Sequence, residues 1–326
     1  MPHRLVIERI AVIGAGAWGT ALAQAAAMAG RQVSLLCRDA ETAEEVNTRH
    51  TNSKYLGEQT LSEWITADTR LVPSDLVILA APAQATRQAL AGHHGALADM
   101  PVVLTAKGLE HGTLKRQSEV LADAVPDAIP YVLSGPSFAA DVAAGRPTAV
   151  TLAGDDETGT EAIAAALAGP SFRPYAAGDI TGVELAGALK NVYALAAGAV
   201  EGAGLGASAR SSLIARAFAE LSRMVEALGG QASTLTGLAG LGDLTLSCTS
   251  AQSRNYRAGI ALGEGVKPDP ALLAEGLSTA PVALQLAQKT GIDAPLVEAV
   301  NLLLGGNATI EKIVAGLMSR PLKRED

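Results

Sequence analysis

Apolar residues follow two different rhythms along the chain, and the change falls near residue 180. Before it, short β-branched runs alternate with alanine-rich stretches of helical spacing, which predicts a parallel sheet with crossover helices. Residues 10–13 read as the first strand, 19–29 as the helix after it, and 33–37 as the second strand. Residues 76–80 form a further buried strand, followed by Pro82, which cannot extend a central strand. Segments 102–106 and 131–134 complete the visible set, each ending in a glycine-containing turn.

Beyond residue 180 helical periodicity takes over. From Ile214 the apolar positions Ala217, Leu221, Val225 and Leu228 recur every three or four residues, with Arg216, Glu220 and Arg223 assigned to the opposite, polar face. Gly229–Gly230 stops that helix. Pro268 and Pro270 mark a loop, and a last helix spans 309–318 ahead of a charged tail expected to fray. No internal repeat is evident.

Composition sharpens this picture. The 326 residues are enough for two domains, each with its own core, divided as 1–180 and 181–326. Apolar residues reach 48% but aromatics only 3%, so the interior must rely on Ala, Leu, Val and Gly and on close helix packing. A net charge of −8 argues against a nucleic-acid or anionic-membrane binder. An anionic substrate would need basic residues gathered locally. Cys37 and Cys248 lie far apart without ligand spacing, so neither a metal site nor a disulfide framework is expected, which fits a reducing, cytoplasmic compartment.

Residues 10–30 carry no charge, follow Arg4 and Arg9, and end alanine-rich, as a signal peptide or membrane helix would. Against that reading, Gly14, Gly16 and Gly19 interrupt the apolar run, and Gln24 lies within it. No other apolar run is expected to approach spanning length, so no stable membrane insertion is anticipated.

Those same glycines carry the first chemistry. Gly14-Ala-Gly16-Ala-Trp-Gly19 directly follows the first strand and opens a helix. The first glycine permits the tight turn, the second lets backbone approach a pyrophosphate, and the third allows the helix to pack on the strand. This is a Rossmann-type, doubly wound α/β unit, followed by an all-α C-terminal domain. The second strand ends at Cys37-Arg38-Asp39. A carboxylate there suits the ribose hydroxyls of NAD, and an arginine suits the 2′-phosphate of NADP. Arg38 comes first, so NADP(H) is favoured with NAD(H) tolerated; an ion pair with Glu41 is the alternative use of Arg38.

Ligands of open sheets bind beyond the carboxyl ends of the strands. Lys107-Gly108 and Gly135-Pro-Ser137-Phe138 sit there, as a surface lysine and a structural turn or as an anion-binding pair. A sharper signal is the helix through Lys190-Asn191, almost wholly small and apolar, with Lys190 as its one cation. Glu184, six residues back, is off its face and does not explain it. Either Lys190 snorkels to solvent or burial lowers its pKa toward values useful for proton transfer. Asp243 ends a glycine-rich turn, and Ser253-Arg254-Asn255 offers a guanidinium matched to phosphate.

Together these residues resemble the bacterial NAD(P)-dependent glycerol-3-phosphate dehydrogenases. The resemblance runs from residue 10 to residue 315 and includes GAGAWGTALA at 14–23, AKGLE at 106–110, SGPSFA at 134–139, LKNVYA at 189–194, GLGDL at 240–244 and QSRN at 252–255. It implies interconversion of glycerol 3-phosphate and dihydroxyacetone phosphate, a supply of glycerol 3-phosphate for phospholipid synthesis, and a homodimer through the helical domain. It implies that Lys190 is the acid/base and that Asn191 and Asp243 place it and the substrate. Lys107, Gly135, Ser137, Ser253, Arg254 and Asn255 would line the small-molecule phosphate site. Gly14, Gly16, Ala17, Trp18, Gly19, Arg38, Tyr55, Lys107, Ala139, Arg254, Leu273 and Glu275 would contact the cofactor.

Some positions depart from that pattern. Arg38-Asp39 stands where relatives often carry two basic residues, Gly57 where proline is usual, Leu273 where valine is common, and Ala17 where serine is frequent. Two rivals remain at this level. A β-hydroxyacid dehydrogenase would place asparagine four residues after the lysine, where this chain has Ala194. A non-catalytic nicotinamide sensor would keep the glycines without needing Lys190, Asp243 or Arg254.

Overall fold

A computed structural model describes residues 6–321. Arg4 and the end of the charged tail, 322–326, lie outside the described residues. Eight short strands make one sheet: β1 (Arg9–Ile13), β2 (Gln32–Leu36), β3 (Ile65–Asp68), β4 (Leu76–Leu79), β5 (Pro101–Leu104), β6 (Ile129–Ser134), β7 (Thr148–Gly154) and β8 (Phe172–Ala177). Their spatial order is β3-β2-β1-β4-β5-β6-β7-β8. Every neighbouring pair is parallel except β6 and β7, which run antiparallel.

The five strands expected from apolar runs are present, and three others join them. The unforeseen β3, β7 and β8, ITAD, TAVTLAG and FRPYAA, interrupt their large apolar residues with small and polar ones. β3 and β8 are the sheet edges, where one side of the ladder is free, so long β-branched runs are not demanded and Pro174 is tolerated.

The chain leaves β1 toward β2 and later crosses back to β4 on its other side. That reversal opens a crevice at the carboxyl ends of β1 and β4. Gly14 turns there with φ +110°, and a Cβ on it would lie 2.9 Å from the Ala80 carbonyl oxygen just beyond β4. The following helix, α1 (Ala17–Met28), packs so closely on the turn that a Cβ on Gly19 would sit 1.9 Å from the Gly14 carbonyl oxygen. The charge-free run 10–30 is thus strand, turn and core helix, with most of α1 buried. Two further helices follow β2, α2 (Ala40–Arg49) and the short α3 (Ser53–Leu56).

After β8 the chain enters α4 (Ile180–Gly202), 23 residues whose stretch from Gly182 to Val200 is buried throughout. The Asp179 carboxylate caps it, accepting from Gly182 N at 2.8 Å, from Gln231 N at 2.9 Å and from the Thr234 hydroxyl at 2.6 Å. Contrary to expectation, a second apolar run does reach membrane-spanning length: α4 qualifies by length and hydropathy. Its 18-residue window is 94% buried within the protein, covered chiefly by five helices. These are α5 (Ala207–Ala227), α6 (Asp243–Thr249), α7 (Arg254–Gly263), α8 (Glu275–Thr290) and α9 (Pro295–Leu304). A last helix, Ile310–Met318, packs beyond α9. The α4–α7 crossing needs the small side chains the composition supplies: a Cβ on Gly198 would lie 2.1 Å from the Tyr256 carbonyl oxygen, and one on Gly259 2.1 Å from that of Leu195.

The structure also corrects the assignment of Glu220. Placed on the polar face by periodicity, it is 1% exposed. Its carboxylate accepts the N–H groups of Leu296 at 2.9 Å and Val297 at 3.0 Å, the orphan donors at the start of α9. Burial pushes its pKa up, while those amides and Arg223 oppose the shift. Glu220→Ala would leave both amides buried without partners and is expected to lower unfolding free energy by about 2 kcal/mol, read from the denaturant midpoint; an unchanged midpoint would refute the capping role.

Candidate active site

The crevice side of the sheet and the middle of α4 meet at one buried carboxylate. Asp243, the first residue of α6, is 1% exposed. Its Oδ2 accepts from Lys107 Nζ at 2.7 Å, and its Oδ1 from Lys190 Nζ. Lys190 also donates to the Ser247 hydroxyl at 2.8 Å, one helical turn beyond Asp243. Lys107, in the loop after β5, donates a second bond to the Gly135 carbonyl at 2.9 Å. Gly135 closes β6 with φ +149°, where a Cβ would lie 2.9 Å from Val150 Cα, and its carbonyl also accepts from the Ser137 hydroxyl at 2.9 Å.

The electrostatics follow from burial. Lys190 is 5% exposed, and desolvation of its ammonium pulls the pKa down to about 8. Asp243 works against that fall, and the second ammonium at Lys107 adds to it. Burial disfavours ionisation of Asp243 as well, but the two lysines beside it hold its pKa below the ordinary carboxylate value. The Cys248 thiol, buried next to this group, is pushed up to about 12 by desolvation and stays protonated. Lys190 therefore does not snorkel to solvent; it holds an exchangeable proton near neutral pH.

A line of amides ties the cluster to the helices behind it. Asn191 donates to the Lys107 carbonyl at 2.8 Å and accepts from Asn255 at 2.9 Å. Asn255 in turn accepts from Gly276 N at 2.8 Å. Ser253 caps α7 through a 3.2 Å bond from Tyr256 N, which leaves Arg254 exposed in the first turn of that helix.

On the cofactor side, a Cβ at Gly16 would meet nothing within 4 Å, unlike those at Gly14 and Gly19. Packing explains the first and third glycines, whereas the second leaves open space at the N-terminus of α1, where Ala17 and Trp18 form its first turn. The residues present thus fit a bound pyrophosphate. Glu275, heading α8, accepts from Ala83 N at 3.2 Å across the crevice. Ala139 heads the helix Ala139–Ala143 after β6. Arg38, Tyr55 and Leu273 are exposed around the rim, with Leu273 in the left-handed region at φ +46°. Asp39 spends its carboxylate capping α2, accepting from Thr42 N at 2.8 Å. Among the described residues Arg38 forms no salt bridge with Glu41; the Thr42 hydrogen bond and, more weakly, the Arg38 charge lower the pKa of the Asp39 carboxyl.

The structure thus joins Lys107, Gly135, Ser137, Lys190, Asn191, Asp243 and Asn255 in one bonded network, and leaves Arg254 and the rim residues outside it. Sequence reasoning missed Ser247; its place four residues after Asp243 on a helix was the available signal. No group of three or more His, Cys, Asp or Glu able to hold a metal occurs among the described residues.

Comparisons with known proteins are consistent along the whole chain. Residues 9–160 match the N-terminal unit, and 179–315 the C-terminal unit, of NAD-dependent glycerol-3-phosphate dehydrogenases. A relative from Brucella canis called glycerol-3-phosphate dehydrogenase [NAD(P)+] is 49% identical over 324 residues, covering 98% of this chain and 99% of that protein. A similarly described protein of Caulobacter vibrioides is 49% identical over 332 residues, with 98% and 100% covered. The crystal structure of a Coxiella burnetii glycerol-3-phosphate dehydrogenase superposes with a TM-score of 0.89 at 36% identity, covering 96% of this chain and 99% of the other.

Asp243→Asn would leave the buried Lys190 ammonium and the half-buried Lys107 ammonium without a counter-ion. It is expected to lower unfolding free energy by about 3–5 kcal/mol and to move the Lys190 titration downward. Calorimetry at several pH values checks this, and a variant as stable as the parent would overturn the ion-pair geometry.

Proposed function

This chain belongs to the NAD-dependent glycerol-3-phosphate dehydrogenase family, and from that premise we propose how its residues divide the work of interconverting glycerol 3-phosphate and dihydroxyacetone phosphate. The observation that carries the assignment is the buried Lys190 ammonium, paired with Asp243 and lowered in pKa to about 8. When bound, the reduced nicotinamide supplies the hydride for C2 of the ketone. Lys190 delivers the proton to the C2 oxygen, so that ketone, hydride and proton balance to the alcohol; in the reverse direction the neutral amine takes that proton back. Asp243 holds the ammonium in place and, being shared with Lys107, never fully neutralises it. Lys107 and the Gly135–Ser137 turn hold the substrate beside it, and the exposed guanidinium of Arg254 receives the phosphate. Positioning in a water-poor site and fixed charge provide the acceleration. The β-hydroxyacid rival finds no support, since Ala194, where its asparagine would stand, is fully buried and apolar.

In this reading residues 1–180 carry the cofactor and 181–326 the substrate and the acid/base. NADP(H) is favoured over NAD(H), because Asp39 is committed to the α2 cap while Arg38 stands exposed at the end of β2. A cytoplasmic enzyme supplying glycerol 3-phosphate for phospholipid synthesis, assembled as a homodimer through its helices, completes the proposal; two buried free cysteines agree with a reducing compartment.

Lys190→Ala is expected to bind NADPH with parental affinity while losing turnover by about three orders of magnitude or more, compared by fluorescence titration and steady-state assay; near-normal turnover would refute the acid/base role. The pH dependence has a definite sign. Lys190 is charged below about 8 and neutral above it. Reduction of dihydroxyacetone phosphate should therefore weaken as pH rises through that value, and oxidation of glycerol 3-phosphate should strengthen. Arg38→Ala should lower kcat/KM for NADPH about tenfold or more and change that for NADH much less; equal losses with both cofactors would remove the 2′-phosphate assignment.

A further inference from the structure

We propose that Asn52, which takes no part in the chemistry above, is the positioning residue that aims the Gly16 amide of the glycine turn at the cofactor pyrophosphate. The inference rests on the cofactor reading of that turn. Asn52 immediately precedes α3 and is fully buried. Its Nδ2 donates to the Ala15 carbonyl at 3.0 Å and contacts the Thr20 hydroxyl on α1 at 2.9 Å. A carbonyl can only accept, so the side chain must present nitrogen to it; the opposite orientation would set two oxygens face to face.

The consequence lies in the peptide unit that Asn52 grips. The Ala15–Gly16 bond is trans, and a planar trans peptide points its carbonyl and its N–H in opposite directions. Drawing the Ala15 carbonyl toward Asn52 turns the Gly16 N–H the other way. That N–H meets no acceptor among the described residues. It belongs to the glycine beside which a Cβ would find nothing within 4 Å, at the head of the twelve-residue α1. An unpaired amide on a glycine with open space beside it, at a helix N-terminus, is disposed to bind a phosphate oxygen.

Asn52 is itself held fast. The Glu45 carboxylate on α2 accepts from the Thr51 hydroxyl at 2.8 Å and from Ser53 N at 2.8 Å, clamping both of its neighbours. Its own Oδ1 has no partner among the described residues although it is buried. The side chain is therefore retained for its donor, and the donor is spent on the glycine turn and the helix that follows it.

The test separates this aiming role from simple packing. Asn52→Ala is expected to weaken NADPH binding about tenfold or more, measured as a dissociation constant by fluorescence titration. Its KM for dihydroxyacetone phosphate, and its kcat at saturating cofactor, should stay near parental values. Thr20→Val removes the second contact but leaves the grip on Ala15. It should lower the melting temperature while leaving the NADPH dissociation constant near the parental value. Should Asn52→Ala fail to fold, the isosteric Asn52→Asp, which places a carboxylate oxygen against the Ala15 carbonyl, carries the same expectation. Parental NADPH affinity in the Asn52 variants, equal losses in Thr20→Val, or failure of both Asn52 variants to fold would overturn the proposal. If the parent chain itself binds neither NADPH nor NADH, the cofactor reading falls first, and this inference with it.

Discussion

One carboxylate with two ammonium partners organises this protein. Asp243 is almost completely buried and shares its oxygens between Lys107, in the loop after β5, and Lys190, carried on the core helix. A lone charge in that place would be costly, and so would a lone lysine. Asp243 offsets part of the desolvation of Lys190, yet two positive groups share a single negative one. The competition leaves Lys190 easier to deprotonate than an ordinary lysine, without making it neutral at physiological pH.

The rest of the architecture can be understood as support for that meeting. Sheet topology puts the loop after β5 and the turn after β6 at the carboxyl edge, on the same side as the glycine turn after β1. The small residues of α4 let its neighbours approach closely enough to seal Lys190 from water. Polar side chains then hold the backbone around the charges: Asn191 on the Lys107 carbonyl, Asp179 at the start of α4, and Glu220 at the start of α9. Each is a buried polar group whose hydrogen bonds offset its desolvation.

The same logic distinguishes side chains that serve the fold from those that packing leaves free. Asp39 and Ser253 use their side chains to cap helices. Arg38, Arg254, Tyr55 and Leu273 are exposed, and Gly16 leaves room that packing does not fill. Under the proposed function, the guanidinium groups of Arg38 and Arg254 would meet the dinucleotide and the anionic substrate on an otherwise acidic chain.

Local pattern was enough for much of this. The glycine turn could be read from spacing because tight turning and close helix packing are demands on single residues, and Gly14 and Gly19 meet them within a few positions. The central strands were legible because burial on both faces requires unbroken apolar runs, and the anomaly of a lysine in an apolar helix was visible at once. The edge strands β3 and β8 were not, since an edge makes weaker demands on composition, and the antiparallel β7 lacked a long β-branched run. Glu220 broke periodicity because its reason for burial, the first turn of α9, lies more than seventy residues away in the chain. The sequence by itself determined which side chains were available and the local turns that present them. Only the tertiary structure decided that Lys190 would find Asp243 and Ser247, and that Lys107 would share the same carboxylate, because hydrogen bonding and desolvation depend on distances in space that chain spacing does not encode.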